Sequence, residues 1–218
     1  MSIYNLSRVK TMLYRYLQRM PLHNYDIACP ADIIPGIEWT AARRRELLNS
    51  ETLAGKDSMK CEDFQRNAIF RGTGIECPLS NHIRIHEDTL ELKEGLSRPY
   101  AGGGGDLSWT EDFDGIQFFI SGVPPHKPVR VLYNFKSICE AGGSQTRSLK
   151  CIHDFIRSQV NVLEKGEITT TLFANILDGK FLAQNMRLLS KFDNNPNIYI
   201  GDLHGYFSWL NNKLDTIL

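Results

Sequence analysis

The sequence lacks the features that mark secreted and membrane proteins. Its five cysteines are scattered through 218 residues without close pairs, which argues against a disulfide framework and for a reducing compartment. No apolar run approaches the roughly 20 residues that a membrane-spanning helix needs. The first residues, MSIYNLSRVK, lack the apolar stretch of a secretory signal. We therefore expect a cytoplasmic protein with no membrane partner.

The sequence also lacks an excess of charge of either sign. It has 25 Lys and Arg against 25 Asp and Glu, so its formal net charge is zero. A neutral total neither supports nor excludes nucleic acid as a partner, because a local basic cleft is sufficient for phosphate contact. The glycine run at positions 102–105 is not followed by Gly-Lys-Ser/Thr, so it does not resemble a nucleotide-binding P-loop.

Hydrophobic periodicity divides the chain into a helical first part and a second part in which strands and helices alternate. Helical spacing predicts helices over residues 6–20, 39–48 and 62–70. Strand patterns follow at 82–86 with 89–93 (a hairpin), 115–121, 129–135, 170–177 and 197–200. Further helical patterns lie at 144–160, 186–189 and 206–218, the first of them with Ser144 as its cap. The order predicts an α/β core over residues 61–218, partly parallel, on which a helical region over 1–60 packs.

Three polar groups fall at the ends of these predicted elements. An acidic cluster containing Glu111, Asp112 and Asp114 opens one strand, and Asn134-Phe135-Lys136 closes the next. Because side chains alternate along a strand, Asn134 and Lys136 share a face. In an antiparallel pair the start of the first strand lies beside the end of the second. Asp114 is therefore expected near Asn134 and Lys136.

This grouping suits the hydrolysis of a phosphodiester. Magnesium prefers oxygen ligands and keeps several waters, one of which it can acidify. A nearby lysine can orient the attacking water and stabilise the charge on the phosphate. The third polar group lies at the start of the following helix, where backbone N–H groups favour a DNA phosphate. Its candidate DNA-binding residues are Ser144, Gln145, Arg147 and Lys150.

Asp114, about twenty residues, then Asn134-x-Lys136 resembles the PD-(D/E)XK nuclease motif. The stretch YNFKSICEAGGSQTRSLKCIHDFI, followed by ANILDG, is similar to the region after the catalytic strand of several type II restriction endonucleases. The resemblance covers roughly the last half of the chain. It implies a restriction-endonuclease-like mixed central sheet flanked by helices, with helical N-terminal additions. It also implies cleavage of double-stranded DNA at a specific sequence, with Mg²⁺ and as a homodimer.

The resemblance gives each motif position a role, with two departures. Asp114 would bind the metal and Lys136 would be the catalytic lysine, while Phe113 stands in the place of the proline. Asn134 occupies the place of an acidic metal ligand, and its neutral amide brings no charge and cannot act as a base. Three explanations stay open for Asn134. It is a deliberate Asp→Asn replacement, or the acid has moved to Glu140, Glu111 or Asp112, or the protein binds DNA without cutting it.

Each of these groups also has an ordinary structural interpretation. Acidic residues before a strand are usually a solvated turn, and a lysine such as Lys136 usually lies on the surface. The basic run at 43–45 contacts DNA phosphates or forms an exposed helix face. A second candidate metal site has zinc-ligand types at unusual spacing, and its alternative is buried cysteines with surface histidines. Its residues are Cys61, Cys77, His82 and His86.

Two further functions remain beside the restriction nuclease. One is a catalytically inactive DNA-binding or interaction protein on the same fold. The other is a nuclease that acts in repair or on viral nucleic acid. The identity of residue 134 bears on the first alternative, because a restored carboxylate would create activity only in an otherwise intact site.

Overall fold

A computed structural model describes the main part of the chain. The described residues are Val9, Thr11 and residues 54–95, 108–120, 128–138, 143–166 and 170–217. The side chains of 54–61, 64, 137, 143–145, 180 and 215–217 are not among them. The helices predicted over 6–20 and 39–48 and the basic run at 43–45 lie outside the described residues, apart from Val9 and Thr11, which are both helical.

The described elements alternate between strands and helices, as the sequence predicts. In chain order they are α1 (Ala54–Thr73), β1 (Arg84–Ile85), β2 (Leu92–Lys93), β3 (Gly115–Ile120), β4 (Pro128–Ser137), α2 (Gly143–Glu164), β5 (Thr171–Asp178), α3 (Lys180–Asn185), β6 (Ile198–Gly201) and α4 (Leu203–Ile217). Two short 3₁₀ turns, Met186–Leu188 and Ser190–Phe192, join α3 to β6. No helix in the described ranges is long and apolar enough to cross a membrane.

The centre of the fold is a four-stranded mixed sheet in the order β3-β4-β5-β6. β3 and β4 form an antiparallel pair, whereas β4, β5 and β6 run parallel. The prediction of a mixed α/β core is therefore confirmed. All eight residues of β5 are buried, because helices cover both faces of the sheet at this strand.

Side-chain alternation distributes the strands' apolar residues between two cores. On one face, Tyr133 and Phe135 of β4 and Ile176 of β5 pack with α1 and α4. On the other face, Leu132 and Phe173 pack with the buried side of α2. The two cores hold the ends of β4 and β5 in place, and the candidate site lies at these ends.

Several predicted boundaries differ from the observed ones. Helix α1 is longer than predicted and runs across position 60/61, so the proposed division of the chain falls inside a helix. Helix α2 begins at Gly143, which places Ser144 in its first turn rather than at its cap. The strands of the β1–β2 hairpin have only two residues each. The φ angles are positive at Asn81 and His82, before β1, and at Leu90, before β2, so the extended backbone is interrupted at these positions.

Candidate functional site

A partly buried lysine lies between two carboxylates where β4 ends and β3 begins. Lys136 Nζ is 3.4 Å from Glu111 Oε2 and 3.7 Å from Asp114 Oδ2. The Lys136 side chain is 23 % exposed and that of Asp114 is 16 % exposed. The antiparallel pairing of β3 with β4 brings these residues together, as the alternation argument predicts. Two carboxylates on one ammonium group form a lysine–carboxylate centre rather than a solvated turn.

Backbone and side-chain contacts fix Asp114 within this centre. The Phe135 N–H donates a 2.7 Å hydrogen bond to Asp114 Oδ2, and Arg66 Nη1 donates a 2.8 Å bond to the Asp114 carbonyl oxygen. Burial raises the pKa of Asp114 above its ordinary value, although Lys136 and the Phe135 N–H act in the opposite direction. Burial alone would lower the pKa of Lys136, but Asp114, Glu111 and Glu62 raise it. Lys136 is therefore a fixed cation near neutral pH.

Helix α1 contributes two residues that the sequence does not indicate as part of this centre. Glu62 is near enough to Asp114 and Lys136 for their charges to shift its pKa. Burial raises the pKa of Glu62, and the negative charge of Asp114 raises it further. Arg66, one turn later, bonds Asp114 and pairs with Asp63 at 2.6 Å. The sequence signal was the i, i+4 pair Glu62 and Arg66 on a predicted helix. That signal says nothing of where the helix docks.

Asn134 belongs to a different set of contacts from Lys136, although both lie on the same face of β4. It is fully buried, and its Nδ2 donates a 3.0 Å hydrogen bond to Asn175 Oδ1 on β5. Its Oδ1 has no hydrogen-bond partner within the described residues. The structure thus brings Glu111, Asp114 and Lys136 together, and it places the Asn134 amide nitrogen against β5.

The remaining acids proposed to replace residue 134 have separate positions. Asp112 accepts hydrogen bonds from Arg84 Nε and His82 Nδ1. Burial raises the pKa of Asp112, but these two partners outweigh burial and hold the pKa below its ordinary value. Asp112 therefore pairs with Arg84, whereas Glu111 pairs with Lys136. Glu140 lies outside the described residues.

The described zinc-ligand types do not form a cluster. Cys77 is buried against Gly115, and burial raises the pKa of its thiol to about 12. His82 contacts Asp112, whereas His86 packs edge-on against Trp109 with 4.7 Å between ring centres. The Cys61 side chain lies outside the described set. Across the described side chains, no group of three or more His, Cys, Asp or Glu is placed to hold a metal ion.

The candidate DNA-binding residues lie in the first turns of α2. Arg147 and Lys150 are exposed there, and the side chains of Ser144 and Gln145 are outside the described set. Lys136 and the start of α2 are joined by residues 137–142. The helix therefore begins close along the chain to the lysine–carboxylate centre.

The two carboxylates of the centre could hold a magnesium ion, which prefers oxygen ligands, more readily than a zinc ion. Mg²⁺ is usually held by one or two carboxylates and keeps several waters, so it does not require three protein ligands. Glu111 and Asp114 both approach the same ammonium group and supply two such carboxylates. A two-carboxylate magnesium site is compatible with the finding that no larger cluster exists in the described part of the chain.

The fold and the site define a mixed α/β protein with a lysine–carboxylate centre at the end of its central sheet. Comparisons of the chain with protein-family models, with curated proteins and with solved structures give no match. The function therefore has to be argued from the residues of the site.

Proposed function

We propose that the protein is a magnesium-dependent endonuclease with a restriction-endonuclease-like fold, acting on double-stranded DNA at a specific sequence. The observation that carries the proposal is the position of Lys136 Nζ, within 4 Å of both Glu111 and Asp114 at the ends of β3 and β4. A partly buried lysine beside two acids is expected where a negatively charged phosphate and a metal ion are bound together.

Each residue of the centre has a distinct task in this proposal. Glu111 and Asp114 would hold Mg²⁺, and the bound ion would supply an acidified water and charge stabilisation. The Lys136 ammonium orients the attacking water and stabilises the charge that develops on the phosphate. Arg66 and the Phe135 N–H hold the Asp114 backbone and carboxylate in place. Glu62 adds a third negative charge that keeps Lys136 protonated.

The start of α2 supplies the contact with the DNA backbone. Arg147 and Lys150 are exposed, and the helix N-terminus adds partial positive charge for a phosphate. Symmetric DNA sites are usually recognised by symmetric proteins, so the proposed active form is a homodimer. A repair or viral nuclease would use the same centre on a different substrate.

A catalytically inactive DNA-binding protein is the second candidate function. The observation that favours it is the buried amide of Asn134, where the motif has a carboxylate. A protein of this kind would keep the basic start of α2 and bind DNA without cleaving it. Cleavage assays distinguish the two functions directly.

The test is a plasmid cleavage assay with Mg²⁺ on the unmodified chain and on Lys136→Met, Asp114→Asn and Glu111→Gln. Glu164→Gln, on the exposed last turn of α2, is the matched control. We expect discrete fragments from the unmodified chain and the control, with at least ~100-fold slower cleavage in the three variants. Absence of cleavage by the unmodified chain under conditions where it binds DNA would refute the nuclease and favour the binding protein.

A further inference from the structure

Three fully buried amide side chains meet between the sheet and helix α2. Asn134 lies on β4, Asn175 lies beside it on β5, and Gln159 of α2 bonds Asn175. Asn134 Nδ2 and Gln159 Nε2 donate to Asn175 Oδ1 at 3.0 and 3.1 Å. Asn175 Nδ2 donates in return to Gln159 Oε1 at 2.8 Å. We call these three residues the amide cluster.

A backbone carbonyl sets the direction of every bond in the amide cluster. Asn175 Nδ2 also donates to the Tyr199 carbonyl oxygen of β6 at 3.3 Å. A carbonyl oxygen can only accept, so this contact fixes which end of the Asn175 amide is the nitrogen. The Asn175 oxygen must then face Asn134, and the Asn134 nitrogen must face Asn175. The orientation of Asn134 is therefore determined from β6, two strands away.

The same constraint determines where the Asn134 oxygen lies. The nitrogen and oxygen are the two arms of one planar amide, so with Nδ2 bonded to Asn175 the Oδ1 atom is the arm that makes no contact with the amide cluster. The β3–β4 ladder ends at the pair Gly115 with Tyr133, and Asp114 directly precedes this pair. The Asn134 oxygen is buried and has no partner within the described residues. An unpartnered buried acceptor is costly and is rarely retained without a use.

We propose that position 134 is built for an amide, with Asn175 and Gln159 as positioning residues that hold the Asn134 nitrogen toward β5 and leave its oxygen as an open acceptor two residues from Lys136 on the same face of β4. The role of that oxygen, as a neutral acceptor or ligand beside Asp114, rests on the proposed function. The exclusion of a carboxylate from position 134 does not. Asparagine is then the residue on which the site depends, and neither an acid replaced by asparagine nor an acid moved elsewhere is needed to explain it.

A carboxylate at this position would disrupt the amide cluster. In Asn134→Asp, an oxygen that can only accept would face the Asn175 oxygen, which also only accepts. The side chain could bond Asn175 only in its protonated form, so folding would favour proton uptake. Stability would then be retained at low pH and lost as pH rises above the ordinary aspartate pKa of about 4.

The first experiment measures thermal stability of Asn134→Asp from about pH 4 to about pH 8, with Asn161→Asp as the control. Asn161 is exposed on the same helix as Gln159, so its substitution adds the same charge in water. We expect the Tm of Asn134→Asp to fall ~5–10 °C below that of the control at the upper pH and to approach it at the lower pH. Equal Tm values throughout would overturn the proposal.

The second experiment separates a use of the Asn134 oxygen from simple packing. Asn134→Leu has a similar volume and leaves the Gln159–Asn175 bonds intact, so its Tm should stay within ~4 °C of the unmodified chain. Its Mg²⁺-dependent plasmid cleavage should fall ~10-fold or more. Retained cleavage by Asn134→Leu, or increased cleavage by Asn134→Asp, would contradict the proposal. If the unmodified chain does not cleave DNA, the nuclease proposal fails, and the stability comparison still decides whether position 134 excludes a carboxylate.

Discussion

Gln65 on α1 donates a 2.6 Å hydrogen bond to Asp178 at the end of β5, across 113 positions of sequence. The other oxygen of Asp178 accepts a bond from the Leu203 N–H at the start of α4. One buried carboxyl group thus joins two helices to the central strand. Burial raises the pKa of Asp178 from 3.8 to about 6, and the two donors offset only part of this effect.

The raised pKa of Asp178 predicts a pH dependence of stability. Since the folded state holds this proton more tightly than the unfolded state, the contribution is complete below about pH 4 and is lost as pH rises to about 6. A shift of this size corresponds to ~3 kcal/mol in the free energy of unfolding. Asp178→Asn should remove this component in urea unfolding across that range. Asp88→Asn, at an exposed position, should retain it, and the same pH profile in both variants would contradict the prediction.

Lys136 should stabilise the fold as well as serve the proposed reaction. Lys136→Met leaves Glu111 and Asp114 close together without their shared cation, so we expect unfolding to become easier by ~2 kcal/mol. Lys136→Arg keeps the charge and should restore most of this stability. Urea unfolding with Lys165→Met as the exposed control is the measurement, and an unchanged midpoint in Lys136→Met would count against the ion pair.

Glu62 should matter to the site although it lies outside the motif. Glu62→Gln removes a negative charge beside Asp114 and Lys136, so the centre should hold Mg²⁺ more weakly and cleavage at limiting Mg²⁺ should slow ~10-fold. Glu76 is exposed, so Glu76→Gln serves as the matched control. Initial cleavage rates of the two variants, measured at limiting Mg²⁺, give the comparison. Equal rates would place Glu62 outside the functional site.

The start of α2 should determine how DNA binding responds to salt. If Arg147 and Lys150 each contact one phosphate, their double alanine substitution should reduce the slope of log affinity against log salt by ~2. Arg157 lies near the other end of the same exposed face and pairs with Asp154, so Arg157→Ala should leave the slope unchanged. Fluorescence anisotropy with labelled duplex DNA measures both. A slope that falls equally in both variants would place the DNA elsewhere.

Local sequence patterns predicted most of the described elements and the pairing that brings Asp114 to Lys136. That success follows from strand alternation and a short connection between β3 and β4, which are both local properties. The orientation of Asn134 was not predictable in this way. It depends on Asn175, Gln159 and the Tyr199 carbonyl, which are distant in sequence and reach Asn134 only through tertiary packing.

Glu62 and Arg66 were not predicted as site residues for a similar reason. The pattern of α1 predicts a helix but not the strand on which it docks, and Gln65 and Arg66 fix that docking through contacts with Asp178 and Asp114. The zinc-ligand types show the converse, that closeness in sequence does not by itself bring side chains together. They are near one another in sequence, whereas His82 and His86 contact different partners in the fold.

The docking of α1 also bears on the order in which the parts of the lysine–carboxylate centre come together during folding. The strands β3 to β6 and helix α2 all lie after residue 114 in the chain, whereas Glu62 and Arg66 precede them. A contact as distant in sequence as Gln65 with Asp178 closes a long loop and carries a large entropic cost. The sheet can therefore form before the acidic centre is complete, and a chain that has folded only its sheet would hold Lys136 without the arginine that fixes Asp114.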